Sequence, residues 1–365
     1  MAFFIISIHA SGQQKQKFLI SDESEVKATK QQYLLKGNEK LMSKAEAALL
    51  KGPFSVTFNK TKLAPSGDIH DYLSQAPYWW PDPSKGNGEP YIRKDGRRNP
   101  EIYKLNDRKQ LGDLTEVLND LAMGFYLSGD EKYAKQADEI VKVFFINPDT
   151  KMNPNFTYAQ YIPGLNDGRG IGIIETRGLI DIPEALALLQ ESKFMVPQTI
   201  NVVKLWFGAY LKWLLNSPNG KGEKLEKNNH GTNYDLQVID FAQFLGDEIL
   251  AKKTIDEITL PRLEIQFDEE GRQPLETART NSWDYVNMNL DGWLKLARLS
   301  ENVDVDLWNK KNAKGSGIEA AVKWLLPYVK KQQKWPYQQL NSFNHDQADY
   351  IIKRAKKIYP LMNNQ

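Results

Sequence analysis

Leu111-Gly112-Asp113-Leu114-Thr115-Glu116-Val117-Leu118-Asn119-Asp120-Leu121-Ala122-Met123-Gly124-Phe125, followed by Ser128-Gly129-Asp130 and the run Tyr133 to Phe144, decides the fold class. Leu111, Leu114, Leu118, Leu121 and Phe125 fall at spacings of three and four, one face of an α-helix. Ser128-Gly129-Asp130 breaks that helix, and Tyr133, Ala137, Ile140, Val141 and Phe144 restart the pattern. Two helices joined this tightly make an antiparallel hairpin. Outward from it the same periodicity predicts helices over Lys40 to Lys51, Ile173 to Gln190, Thr199 to Leu215, Asn233 to Leu245 and Ala251 to Leu260. It predicts three more over Tyr285 to Leu299, Ile318 to Val329 and Asp346 to Ile358. Strand signals are few and no repeat is visible, so the reading is all-α, an (α/α) toroid of about six to seven helical hairpins rather than a regular solenoid. No linker splits the chain, so residues 21–365 read as one domain.

Composition bounds the function. A hydrophobic fraction of 41% supplies a real core, and a net charge of +2 leaves no global footprint for nucleic acid. With no cysteine and four scattered histidines, neither a thiolate nucleophile nor a metal centre is expected. Nine Trp and sixteen Tyr exceed what a core needs and suit the stacking of sugar rings. Residues 1–20 open with Met1-Ala2-Phe3-Phe4-Ile5-Ile6-Ser7-Ile8, a short apolar core followed by small residues. It reads as the remnant of a secretory signal or a tail, and implies a periplasmic or secreted protein. No later segment is long and apolar enough to span a bilayer.

Between Thr57 and Glu101 the chain is rich in Pro, Gly and aromatics without any period, the mark of a long functional loop. It contains His70 and the run Tyr78-Trp79-Trp80 between prolines, an expected stacking platform, and then Arg93, Lys94, Arg97 and Arg98. A basic cluster alone is usually a solvated turn; beside a stacking platform it suits a polyanionic glycan. A second loop carries Gln160, Arg169 and Arg177 among glycines that permit close backbone approach. After a polar, Gly-containing linker, Asn216 to Lys227, comes Asn228-Asn229-His230-Gly231-Thr232-Asn233, a loop entering a helix with Thr232 or Asn233 as its cap. Backbone N–H groups and the helix dipole there favour an anion, and an amide with an imidazole would polarise a carboxylate. Arg279 and Tyr285 open a further helix toward the same mouth.

Taken together, Ser66-Gly67-Asp68, His70-Asp71-Tyr72, Ala76 to Pro83, Met152-Asn153-Pro154, Tyr158-Ala159-Gln160, Asn228 to Thr232 and Arg279 to Tyr285 resemble the alginate lyase family of polysaccharide lyases. The likeness runs from about Lys60 to Ser300, in the family's order. It implies an (α/α) toroid exported from a bacterium and acting without a cofactor on 4-linked polyuronates, with Asn229, His230, Arg279 and Tyr285 as catalytic residues. His70, Tyr78, Trp79, Trp80, Gln160 and Arg177 are the expected substrate-binding residues. Asn233 stands where relatives carry an aromatic, which bears on substrate preference.

The chemistry agrees with these residue types. β-Elimination takes the proton from C5 of a uronate and expels O4, so donors must first neutralise the carboxylate; Asn229, His230 and Arg279 qualify. Tyr285 is the candidate base and acid, its pKa expected to be lowered by neighbouring cations. His230 is the alternative base. Alginate at its mannuronate-rich blocks is the favoured substrate, with glucuronan as the alternative. Two other readings remain at this stage: a glycoside hydrolase using two of Asp68, Asp71 and Glu175, and a non-catalytic glycan-binding protein on the same fold. Oligomeric state is left open.

Overall fold

The computed structural model describes residues 17–359; the apolar start of the chain, on which the export reading rests, lies outside them. The architecture is all-α. In chain order the helices are α1 (Glu23–Lys36), α2 (Glu39–Ala48), α3 (Asp107–Ser128), α4 (Glu131–Val141), α5 (Asp181–Leu189), α6 (Pro197–Asn216) and α7 (Pro218–Leu225). They continue with α8 (Asn229–Leu245), α9 (Glu248–Thr254), α10 (Leu260–Gln266), α11 (Pro274–Thr277), α12 (Ser282–Glu301), α13 (Ile318–Val329) and α14 (His345–Ile358). Among the described residues four short strands, β1 (Leu73–Gln75), β2 (Trp79–Trp80), β3 (Ile92–Arg93) and β4 (Tyr158–Tyr161), make two ribbons, β1 parallel to β4 and β2 antiparallel to β3.

The α3–α4 hairpin forms as its spacing predicts. Leu111, Leu114, Leu118, Leu121 and Phe125 are all buried. Gly129 closes α3 at a φ of 72°, where its N–H reaches the Phe125 carbonyl, and Asp130 caps α4 by accepting from the Lys132 N–H at 3.0 Å. Around this unit α3 packs on α2 and α5, α8 on α6, α9 and α12, and α14 on α12 and α13, a toroid of helical hairpins. One hydrophobic cluster runs through them from Leu19 to Tyr359.

Helix α8 differs from the rest. Fourteen of its 17 residues are buried, so it has no solvent face and sits as a central post. Its polar side chains must therefore find partners inside. Thr232 donates to Gln266 at 3.0 Å, and Asp235 pairs with Arg262 at 2.7 Å. Arg262 also donates to the carbonyls of Lys224 and Glu226, which ties the α7–α8 turn to α10.

Several expectations are corrected. The stretch read as a linker, Asn216 to Lys227, holds α7, started by Pro218 and capped by Ser217. Helix α8 begins earlier than its apolar run: its cap is Asn228, not Thr232 or Asn233, and the Asn228 side chain accepts from the His230 N–H at 3.0 Å. Periodicity missed this because the first turn is polar yet buried. Residues 170–180 form 3-10 turns and not the start of α5, and within them Gly172 lies so close to the Ala159 carbonyl that a Cβ would come within 2.6 Å of it. Helix α1 has no buried residue and hence no periodic signal. Leu19 and Ile20, assigned to the tail, are buried, and Glu184 accepts from their N–H groups at 2.6 and 3.1 Å.

Candidate active site

The first turn of α8 opens into a cleft of about 440 Å³, bounded by the β2–β3 ribbon, β4, the 3-10 turns and the start of α12. Gly231 keeps that turn in place: a Cβ there would fall 2.1 Å from both Arg262 Nη1 and the Glu226 carbonyl. Asn229, His230, Arg279 and Tyr285 all line the cleft, as do Tyr78, Trp79, Gln160 and Arg177. Its walls carry six arginines, Arg93, Arg98, Arg108, Arg169, Arg177 and Arg279, against two carboxylates, Glu226 and Asp284. Such a surplus in a concave site draws a polyanion.

Each central side chain is held by a second group. His230 Nδ1 lies 2.8 Å from Glu223 Oε1 on α7. The buried carboxylate accepts the Nδ1 proton, which leaves Nε2 as the other ring nitrogen. Burial raises the Glu223 pKa, and the imidazole opposes that rise. Asn229 is fully buried; its backbone N–H and Nδ2 donate to Glu276 at 2.6 and 2.8 Å. Arg279 stacks on the Tyr285 ring, with the guanidinium carbon 4.0 Å from the ring centre, and donates to the Tyr285 hydroxyl at 3.1 Å. Asp95, on the turn after β3, fixes Arg279 at 3.2 Å and also accepts from Arg93 and Thr280. The Tyr285 and Tyr78 hydroxyls are 2.9 Å apart.

One expectation about Tyr285 is overturned. Its pKa is raised, not lowered: burial comes first and the neighbouring Tyr78 second, and together they outweigh Arg279. The resting phenol is therefore protonated. Arg169 is likewise strained electrostatically; burial and the nearby Arg93 pull its pKa down to about 10. Its guanidinium lies 5.9 Å from the Trp79 ring centre and donates to Gln160 Oε1 at 2.8 Å, so the Trp79 face, Arg169 and Gln160 form one wall.

Other candidates stand elsewhere. His70 is outside the cleft, its Nδ1 2.7 Å from the Lys151 carbonyl, where it braces a turn. Trp80 points away on the alternate register of β2, donating from Nε1 to the Arg97 carbonyl at 2.9 Å. Lys94 lies over the Trp80 ring, and neither it nor Arg97 lines the cleft. Asp68, Asp71 and Glu175, the carboxylates a hydrolase would need, are outside it as well. Asp71 is tied to Ser66, Asn153 and Asn155, and Glu175 to Tyr72, Ser74 and Gln160.

The model of the family described as alginate lyase matches residues 55–335. The chain belongs to the alginate lyase family. With the crystal structure of an alginate lyase from Bacteroides ovatus it shares 40% identity over 94% of this chain and 92% of that one, at a TM-score of 0.89. Alginate lyase A1-III from Sphingomonas species A1 has the same fold at a TM-score of 0.55 and 16% identity, over 92% of this chain and 87% of that one. No curated protein matches the chain. In this member of the alginate lyase family, sequence reasoning missed Glu223, Glu276 and Asp95, which touch the site only through His230, Asn229 and Arg279. It also missed Arg108, which sits on α3 without motif context. Glu276 and Asp95 lie 47 and 184 positions from their partners and leave no local signal, while Glu223, seven residues before His230, stood in the stretch read as a linker.

Proposed function

We propose that the protein is a polysaccharide lyase that cleaves 4-linked polyuronate by β-elimination, with mannuronate-rich alginate as its substrate. The observation that carries this is the cleft in which Asn229, His230, Arg279 and Tyr285 meet under six arginines. Asn229, His230 and Arg279 bind the uronate carboxylate and stabilise the negative charge that grows on it as C5–H breaks. Tyr285, as phenolate, takes the C5 proton; the C4–C5 double bond forms as C4–O4 breaks, and the new phenol returns the proton to O4. One residue does both when H5 and O4 share a face of the ring, as in mannuronate and glucuronate, whereas guluronate places them on opposite faces. Since the resting phenol is protonated, it must first lose its proton to solvent in the cleft; Arg279, which donates to the Tyr285 oxygen at 3.1 Å, stabilises the resulting anion. The apolar start of the chain supports export to the periplasm or beyond.

The test is a panel of polymannuronate, polyguluronate, glucuronan and hyaluronan, with unsaturated product followed by ultraviolet absorbance. Turnover highest on polymannuronate is expected. Highest turnover on polyguluronate refutes the single-tyrosine mechanism, and highest turnover on glucuronan refutes the mannuronate assignment alone. Reducing ends formed without absorbance would mean hydrolysis, and binding without turnover a glycan-binding role.

A further inference from the structure

Glu276 on α11 is buried against Asn229, and the contact between them leaves one atom stranded. Both Glu276 oxygens are used: Oε1 accepts from the Asn229 N–H at 2.6 Å and Oε2 from Nδ2 at 2.8 Å. The Asn229 Oδ1 is then buried with no donor among the described residues. A stranded buried acceptor destabilises the fold unless something bound supplies a donor. Asn229 lines a cleft whose arginines select anions, and a free carbonyl oxygen on it has the wrong polarity for a carboxylate.

Turning the amide end for end exchanges O and N without moving any other atom. Oδ1 then faces Glu276 Oε2 across the same separation, and two acceptors repel unless one carries a proton. With a proton on Oε2, Glu276 donates to Oδ1 while Oε1 keeps the Asn229 N–H. Both hydrogens of Nδ2 are released to the place where no described residue meets Oδ1. Building on the lyase reading, we propose that Glu276 is a positioning residue: it holds a proton in the working enzyme and locks the Asn229 amide with its N–H bonds turned to the substrate carboxylate.

Burial raises the Glu276 pKa. The charged groups facing it, Arg279 just after α11 and His230 on α8, pull the other way. A uronate carboxylate bound beside Asn229 adds negative charge and favours the protonated acid. Substrate binding and Glu276 protonation thus reinforce each other.

Glu276→Gln separates this from a plain structural role. Oε1 of the glutamine must still accept the Asn229 N–H, so its Nε2 faces Asn229 and fixes the amide in the proposed orientation. Expected for Glu276→Gln is a kcat within about threefold of wild type, while Glu276→Ala loses about 10²-fold in kcat, the scale of a lost charge-stabilising donor. Because Tyr285 must lose a proton and Glu276 keep one, the rise of wild-type kcat/KM with pH is expected to flatten once Glu276 ionises, and to continue in the Gln variant. Thermal unfolding of both variants is recorded beside the kinetics; should the Ala variant unfold, the Gln variant alone decides. A folded Gln variant slowed by about 30-fold or more means that Glu276 works as an anion, and the inference fails. A wild type that makes no unsaturated product from any polyuronate refutes the lyase reading, and this inference with it.

Discussion

Replacing Tyr285 by Phe removes one oxygen and nothing else. In the resting protein that oxygen meets Tyr78 at 2.9 Å and Arg279 at 3.1 Å, so folding loses two half-buried hydrogen bonds, about 1–2 kcal/mol in all. Arg279 keeps its stack on the ring and its contact with Asp95. Turnover suffers far more. Proton transfer by a placed side chain contributes about 10²–10⁴-fold, and here one hydroxyl both takes the C5 proton and protonates O4. A loss of at least about 10³-fold in kcat follows, about 4 kcal/mol of transition-state stabilisation. KM is expected to change little, because the arginines that hold the chain are untouched. The assay is initial rate of unsaturated-product formation on polymannuronate, with substrate affinity measured separately by calorimetry. The pH profile adds a second reading. With Tyr285 as base, its raised pKa makes kcat/KM climb into the alkaline range in Glu276→Gln, where no Glu276 ionisation opposes it, because the active form is the deprotonated one. A Phe variant within tenfold of wild type would refute the mechanism. A loss near 10²-fold in the Phe variant, with no alkaline climb in Glu276→Gln, would transfer the base role to His230 and leave Tyr285 only the acid.

Three further outcomes are expected. Trp79→Ala should raise KM by about tenfold with little change in kcat, since ring stacking binds ground and transition states alike, while Trp80→Ala should leave both within about twofold; equal effects at the two positions would contradict their placement. Arg262→Met should destabilise the protein by about 3–5 kcal/mol in urea titration, because Asp235 stays fully buried without its partner and the α7–α8 turn loses its tie; a change under about 1 kcal/mol would mean that the pair contributes little. Burial holds the Asp181 carboxyl up at about 6, above an unfolded value of about 4. The folded chain therefore keeps that proton longer than the unfolded one. The contribution is full below about pH 4 and is lost as pH rises through about 6. Asp181→Asn should raise the unfolding temperature at about pH 7 and flatten its dependence between about pH 4 and 6; an unchanged slope would refute that ionisation.

The helical hairpins were legible because burying one face imposes a three-and-four spacing that a single sequence displays, as Leu111 to Phe125 show. The four residues placed at the centre of the chemistry stood in recognisable blocks, and the structure brings Asn229, His230, Arg279 and Tyr285 to one cleft. Illegible were elements whose stability comes from elsewhere: α7, polar and glycine-containing, and the first turn of α8, polar but buried by its neighbours. Also illegible was which of two adjacent residues faces the site, Trp79 or Trp80, since strand register is set by pairing with β3 and not by local preference. Tertiary structure alone decided the electrostatics. The same Arg279 that sequence reasoning used to lower the Tyr285 pKa is present, yet burial and Tyr78, 207 positions earlier, win. Glu223, Glu276 and Asp95 likewise acquire their roles only when the chain brings a carboxylate to a histidine, an amide and a guanidinium. The sequence by itself determined the residue types and the helices that carry them; desolvation and long-range pairing, which depend on every element at once, set their protonation and orientation.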